Sequence, residues 1–170
     1  IRYAKSGARV ACVDLSVERS DQTRAALAGS GHLALAADVG SDEAMEQLQQ
    51  AVLAEWRGLD VLINNAGYEL TGALEELSVE EARAQFETNF FGVVRMVNAV
   101  LPLMRGQKHG HIINVGSLSG LSSVPFLGIY SASKFALEGY TEALRYEVRP
   151  FNIHVSLTEA SFLKTPMMSH

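Results

Sequence analysis

Apolar and polar positions along this chain fall into two kinds of segment, short continuous apolar runs and longer stretches where apolar residues recur every three or four positions. The continuous runs are Arg9-Val10-Ala11-Cys12-Val13, His32 to Ala37, Leu59-Asp60-Val61-Leu62-Ile63, His111 to Val115 and Ile153 to Leu157. Their length and lack of alternation predict strands, those of the Leu59 and His111 runs buried. Between them the period changes to that of a helix. Ser16 is expected to cap a helix to about Ala28, and Ser41 a second one with the apolar stripe Met45, Leu48, Val52 and Trp56. Ser78 opens a third, to about Arg105, and a fourth runs from about Tyr130 to Val148, stopped by Pro150. Ile1 to Gly7 reads as the tail of a helix. Strands alternating with helices predict an α/β fold with a parallel sheet.

The helix starts carry their own chemistry. Asp42 and Glu43 fall in the first turn after Ser41, where acidic groups suit the helix dipole, and Ser78 with Glu81 forms a capping box. Asn89 interrupts the third helix at its middle, where an amide is a poor helix former. The fourth helix has a stripe of Ala132, Ala136, Gly139, Ala143 and Val148, small enough for close approach to a sheet or another helix.

Composition narrows the class without changing that architecture. At 170 residues, 48% hydrophobic and 19% charged, the chain is one domain's worth of globular protein. A net charge of -5 and scattered basic residues give no nucleic-acid footprint and no anionic-membrane patch. No stretch has the roughly 18 apolar residues of a membrane span, and no signal-peptide pattern opens the chain, so a cytoplasmic location is expected. Cys12, the single cysteine, sits in an apolar strand and reads as a structural thiol. The five histidines show no metal-ligand spacing, so no metal is expected.

Candidate chemistry centres on Tyr130-Ser131-Ala132-Ser133-Lys134. A tyrosine and a lysine four apart on a helix share a face, with Cβ atoms about 5 to 6 Å apart. A neighbouring ammonium favours a phenolate, so the pair is suited to proton transfer. Ser117 ends the His111 strand, and Asn64-Asn65-Ala66-Gly67 ends the Leu59 strand in a turn of small residues that would let a flat ligand approach the backbone. Ligands of open α/β sheets gather at the carboxyl ends of strands.

Asn64-Asn65-Ala66-Gly67, Asn89 with Gly92, Ser117, Tyr130 and Lys134, in this order and spacing, resemble the short-chain dehydrogenase/reductase family over almost the whole chain. The resemblance implies a Rossmann-like doubly wound sheet and a single nicotinamide-dinucleotide domain over 1–170. It implies hydride transfer between NAD(P)(H) and an alcohol or ketone. In that reading Tyr130 is the general acid/base, and Lys134 assists it and binds the nicotinamide ribose. Ser117 holds the substrate oxygen, and the backbone carbonyl of Asn89 holds a water in a proton relay. Asn65, Ala66 and Gly67 would border the cofactor. Asp14 would contact the adenosine ribose, favouring NAD(H) with NADP(H) possible, or else simply open the following helix. Asp38 would contact the adenine amino group with Val39 in the adenine pocket, or else only end a strand. Thr165 matches a position that contacts the carboxamide or phosphates. The family commonly pairs through the helices of Asn89 and Tyr130, so a homodimer or homotetramer is implied.

Two departures qualify the resemblance. The family's glycine-rich phosphate turn after the first strand has no counterpart, so the sequence is expected to be a fragment, incomplete at the N-terminus and the C-terminus, with a vacant central strand position. Ala160-Ser161 replace a usual Pro-Gly, which leaves close approach to the nicotinamide less permissive. A non-catalytic binding or structural protein retaining the fold is the competing expectation. Sugar-nucleotide chemistry is disfavoured for want of a carboxyl-terminal substrate domain.

Overall fold

The computed structural model describes residues 1–159, and every apolar run becomes a parallel strand. Thr165 and the Ala160-Ser161 departure lie outside the described residues. The chain divides into two compact units, Ile1–Arg57 and the part from Gly58 onward.

The first unit contains α1 (Arg2–Lys5), β1 (Ala11–Asp14), α2 (Val17–Ala25), β2 (Leu33–Ala36) and α3 (Asp42–Glu55). Gly7, at φ +87°, turns the chain from α1 towards β1 in a backbone region open to glycine. The register of β1 and β2 runs from Ala11 opposite Leu33 to Asp14 opposite Ala36. Ser16 and Ser41 cap α2 and α3 by accepting the amides of Arg19 and Ala44. The second strand is shorter than the apolar run suggests because His32 leaves the ladder. Its Nδ1 accepts from the Val10 amide at 3.1 Å and its Nε2 faces the Ala28 carbonyl at 3.0 Å. That pairing requires the proton on Nε2. Trp56 is buried, with the Arg9 guanidinium 5.2 Å from its ring, so it serves the core as the stripe predicts. Cys12 is buried too, and loss of water pushes its thiol pKa up.

The second unit holds β3 (Val61–Asn64), α4 (Val79–Phe86), α5 (Gly92–Gln107), β4 (Gly110–Val115), α6 (Gly128–Val148) and β5 (Ile153–Thr158), with strand order β3-β4-β5. Val61 stands opposite His111, and Gly110 opposite Ile153. Leu62 and Ile112 of the sheet pack with Val97 and Met104 of α5 and Leu137 and Val148 of α6 in one hydrophobic core. The helical run from Ser78 to about Arg105 is continuous but not uniform. Glu87–Phe91 is π-helical and joins α4 to α5, with Asn89 buried within it. Such one-turn expansions shift the backbone bonds to i→i+5, which accounts for a polar amide in mid-helix. Among the described residues, β1 pairs with β2 alone and β3 with β4 alone.

The small-residue stripe of α6 is not its inward face. Ala132, Gly139 and Ala143 are exposed and Ala136 half-buried, while Ser133, Leu137, Thr141, Leu144 and Val148 face the core. Only Val148 of the stripe is buried in the unit.

Candidate active site

The carboxyl end of β4 is fixed by side chains that bond across the sheet. Asn64 of β3 donates from Nδ2 to Asn114 Oδ1 at 2.9 Å, in register with it. Asn114 Nδ2 donates to Thr141 Oγ1 of α6 at 2.9 Å, and Thr141 donates to the Leu137 carbonyl at 2.6 Å. All three polar side chains are buried and satisfied, so the strand ends and α6 are locked in one arrangement. Ser117 follows β4 and caps the short 3₁₀ turn Leu118–Gly120, accepting the Ser119 amide at 3.1 Å. That bond occupies a lone pair and leaves the hydroxyl proton available. The turn lies directly on α6, where a Cβ on Gly120 would stand 3.1 Å from the Lys134 carbonyl.

Tyr130 and Lys134 emerge from α6 and are both 6% exposed. The Lys134 ammonium donates to the Val115 carbonyl at 2.8 Å and sits 5.8 Å from the centroid of the Tyr130 ring. Burial disfavours its charged form and lowers its pKa to about 8. The spacing in sequence therefore becomes a contact, with Lys134 also tied to the end of β4.

The turn after β3 is held by two buried amides. Asn89 accepts the Tyr68 amide on Oδ1 at 3.1 Å, and its Nδ2 donates to the Tyr68 carbonyl at 2.9 Å and to Ser133 Oγ at 3.2 Å. Ser133 donates in turn to the Tyr130 carbonyl at 2.7 Å. Gln85, one helical turn earlier, donates to the Tyr68 carbonyl at 2.7 Å and accepts the Leu70 amide at 2.8 Å. Gly67 lies where these groups meet. A Cβ there would be 3.1 Å from Asn89 Oδ1 and 3.9 Å from Lys134 Nζ. Asn65 and Ala66 are exposed on the same turn.

The first unit carries its own candidates. Asp14 ends β1, accepts the Ser16 amide at 3.0 Å and pairs with Arg19 at 2.7 Å from both Nε and Nη2. The Ser16 amide, then Arg19, hold its carboxyl below the usual range. Asp38 is exposed and accepts the Gly40 amide at 2.8 Å, and Val39 beside it is half-buried.

The structure thus brings Gly67, Asn89, Tyr130 and Lys134 together and sets Ser117 on the adjoining turn. Sequence reading missed Gln85, Ser133 and Arg19. A signal existed for Gln85, since it lies four residues before Asn89 and so shares its helix face.

The short chain dehydrogenase family model matches residues 1–170. The chain belongs to the short-chain dehydrogenase/reductase family. Among curated short-chain dehydrogenase/reductase relatives, it is 48% identical over 131 residues to 3-ketodihydrosphingosine reductase of Bacteroides thetaiotaomicron, covering 77% of this chain and 49% of that one. It is 48% identical over 122 residues to human retinol dehydrogenase 8, covering 72% and 38%. The chain therefore spans about half or less of the length of these relatives. Among solved structures, 3-ketoacyl-(acyl-carrier-protein) reductase from Brucella melitensis complexed with NADH superposes with TM-score 0.95 at 28% identity, covering 99% of this chain and 71% of that one. A short-chain dehydrogenase from Streptomyces avermitilis gives 0.91 at 35% identity, covering 96% and 61%. The α/β architecture expected from the strand and helix pattern, in the Rossmann-like form that the resemblance implies, is the fold of this short-chain dehydrogenase/reductase.

Proposed function

We propose that this chain carries the reaction centre of an oxidoreductase that moves a hydride between a nicotinamide dinucleotide and an alcohol or carbonyl carbon. The observation that carries the reading is the buried Lys134, with a pKa near 8, beside the ring of Tyr130. A buried ammonium held beside a phenol is the charge partner that proton transfer through the phenol calls for.

The residues present fit a nicotinamide cofactor. Gly67 leaves open a space near Lys134 Nζ that a side chain would fill. In the first unit Asp14, at the end of β1 with its carboxyl pKa held low, is proposed as the ribose-binding acid of a dinucleotide fold. Bound there, nicotinamide supplies or accepts the hydride. Tyr130 takes the proton of the alcohol in oxidation and returns it in reduction. Lys134 provides positive charge where the phenolate forms and binds the nicotinamide ribose. Ser117, with its hydroxyl proton free to donate, holds the substrate oxygen where negative charge develops, a kind of contact whose loss typically costs about 10²- to 10³-fold in rate. Asn89 is assigned the water-holding carbonyl, a role supported by its place within the π-helical turn. Asn65 and Ala66 border the cofactor with Gly67. Asp38 and Val39 take the adenine, and Thr165 the carboxamide or phosphates. Asp14 favours NAD(H), and the Arg19 guanidinium beside it keeps NADP(H) possible. We assign both units to one dinucleotide-binding domain.

The substrate is proposed to be an alcohol or ketone with an apolar body. Leu74, Leu118, Leu121, Val124 and Phe126 are exposed on the two loops near the site. Those loops are joined by the Gly72 amide donating to the Phe126 carbonyl at 2.9 Å. The relatives named for retinol and 3-ketodihydrosphingosine point the same way.

Tyr130→Phe in the intact protein should lower turnover of a long-chain alcohol or ketone by at least about 10²-fold, with dinucleotide binding by calorimetry nearly unchanged. Assays with NAD and NADP in parallel rank the two cofactors. A fully active Tyr130→Phe protein would overturn the proposed reaction.

A further inference from the structure

Gln85 is fully buried in α4 although no part of the expected catalytic set requires it. Burying a primary amide is costly when its partners are lost, and an apolar residue would fill a helix–loop contact without that cost. The Gln85 amide is bonded entirely to backbone. Its Nε2 and Asn89 Nδ2 both donate to the Tyr68 carbonyl, at 2.7 and 2.9 Å. Its Oε1 accepts the Leu70 amide at 2.8 Å, while Asn89 Oδ1 accepts the Tyr68 amide at 3.1 Å. Two side chains one helical turn apart thus grip three backbone groups of the loop, the Tyr68 amide and carbonyl and the Leu70 amide. Asn89 alone extends the grip to α6, through Ser133 to the Tyr130 carbonyl.

The point where the grip matters is Gly67. It immediately precedes Tyr68, and its Cβ position lies 3.1 Å from Asn89 Oδ1 and 3.9 Å from Lys134 Nζ. Without Gln85 the Leu70 amide loses its partner and the Tyr68 carbonyl keeps one bond, so the loop can pivot on Asn89. The pivot would displace Gly67 relative to the Lys134 ammonium and twist the Asn89 amide away from Ser133.

We propose that Gln85 is a positioning residue for the Tyr130–Lys134 pair, acting through the Tyr68–Leu70 backbone and Asn89 to keep the Gly67 turn in register with the Lys134 ammonium. The inference rests on the hydride-transfer reading above, and it adds a residue outside the expected set. Displacements of about 1 Å at a reaction centre can cost about 10²-fold in rate, so a clamp of this kind acts on turnover more than on substrate affinity.

The test uses Gln85→Met and Gln85→Glu in the intact protein, assayed in steady state with a long-chain alcohol or ketone, together with circular dichroism of each variant. Gln85→Met should lower kcat by about 10- to 100-fold, leave the substrate KM within about threefold and shift the pH limb of kcat, because the surroundings of Lys134 change. Gln85→Glu keeps an acceptor for the Leu70 amide but needs a proton on its other oxygen to donate to the Tyr68 carbonyl. Its activity relative to wild type should therefore be highest at low pH and fall as pH rises, with the fold intact. Should Gln85→Met not fold, this pH dependence decides the matter alone. Unchanged kcat and pH limb in both variants, beside an active wild type, would overturn the inference. A wild type inactive on every alcohol and ketone would instead remove the hydride-transfer reading, and this inference with it.

Discussion

Lys134 sets the cost of the site at the scale of the residue. Its ammonium is buried with one bond to a carbonyl, and the pKa falls from 10.5 to about 8 with desolvation as the cause. A lysine whose folded pKa is depressed destabilises the fold by a constant amount below the folded value. The penalty declines between about 8 and 10.5, where the unfolded chain holds the proton and the folded one releases it, and vanishes above. At 1.36 kcal/mol per pKa unit the penalty is roughly 3 kcal/mol. Lys134→Met should therefore unfold at a higher denaturant concentration than wild type at pH 7, with the gain shrinking as pH rises through 8 to 10. A variant less stable than wild type at pH 7 would show that the Val115 bond outweighs desolvation. In the proposed function, that cost is stability yielding to activity. The Tyr130–Lys134 pair was legible because its spacing is one helical turn, and Ser117 and Gly67 joined it through strand ends and the family resemblance. The bonds of Gln85 and Ser133 were not, although Gln85 shares a helix face with Asn89: Gln85 meets Tyr68 and Leu70, 17 and 15 positions away, and Ser133 meets Asn89, 44 away.

Elements were legible where one period or one cap decides them. The capping box at Ser78 and Glu81 forms as the spacing predicts, with the Ser78 amide bonded to the Glu81 carboxylate at 2.8 Å and the Glu81 amide to Ser78 Oγ at 3.2 Å. The π-helical Glu87–Phe91 was foreshadowed by an ill-suited Asn89, but its form depends on the Tyr68 backbone that the amide reaches. Likewise β2 begins at Leu33 because the His32 ring takes the Val10 amide, a contact across 22 positions. Close packing of β4 on α5 yields a prediction at this scale. A Cβ on Gly110 would lie 2.5 Å from Met104 Sδ and 2.7 Å from its Cγ, and Met104 is fully buried. Gly110→Ala should cost about 1–3 kcal/mol of stability by overpacking, read from the denaturant midpoint. An unchanged midpoint would mean that Met104 repacks freely.

Over the whole molecule, the outward stripe of α6 bears on assembly. Ala132, Gly139 and Ala143 lie exposed with Phe135 and Tyr146 on the same helix, and α4 with the π-helical turn borders a groove of about 460 Å³ lined by Val79, Ala82, Arg83, Phe86, Glu87 and Phe91. We propose that these helices pair between copies in a homodimer or homotetramer. Ala143→Arg should then shift the intact protein to a smaller species by sedimentation while leaving its circular dichroism unchanged; an unaltered sedimentation coefficient would place the interface elsewhere. No helix of the described residues is long and apolar enough to cross a membrane.

The sequence by itself determined the alternation of strands and helices and which types of residue gather at the strand ends, because each depends on neighbours within a turn or a run, and the order and spacing of its motifs carried the family resemblance. Only the tertiary structure decided that the small stripe of α6 faces outward, that Lys134 loses enough water to titrate near 8, and that Gln85 grips the loop beside it. Burial and long-range hydrogen bonds are properties of what the chain brings together in space, and no local period encodes them.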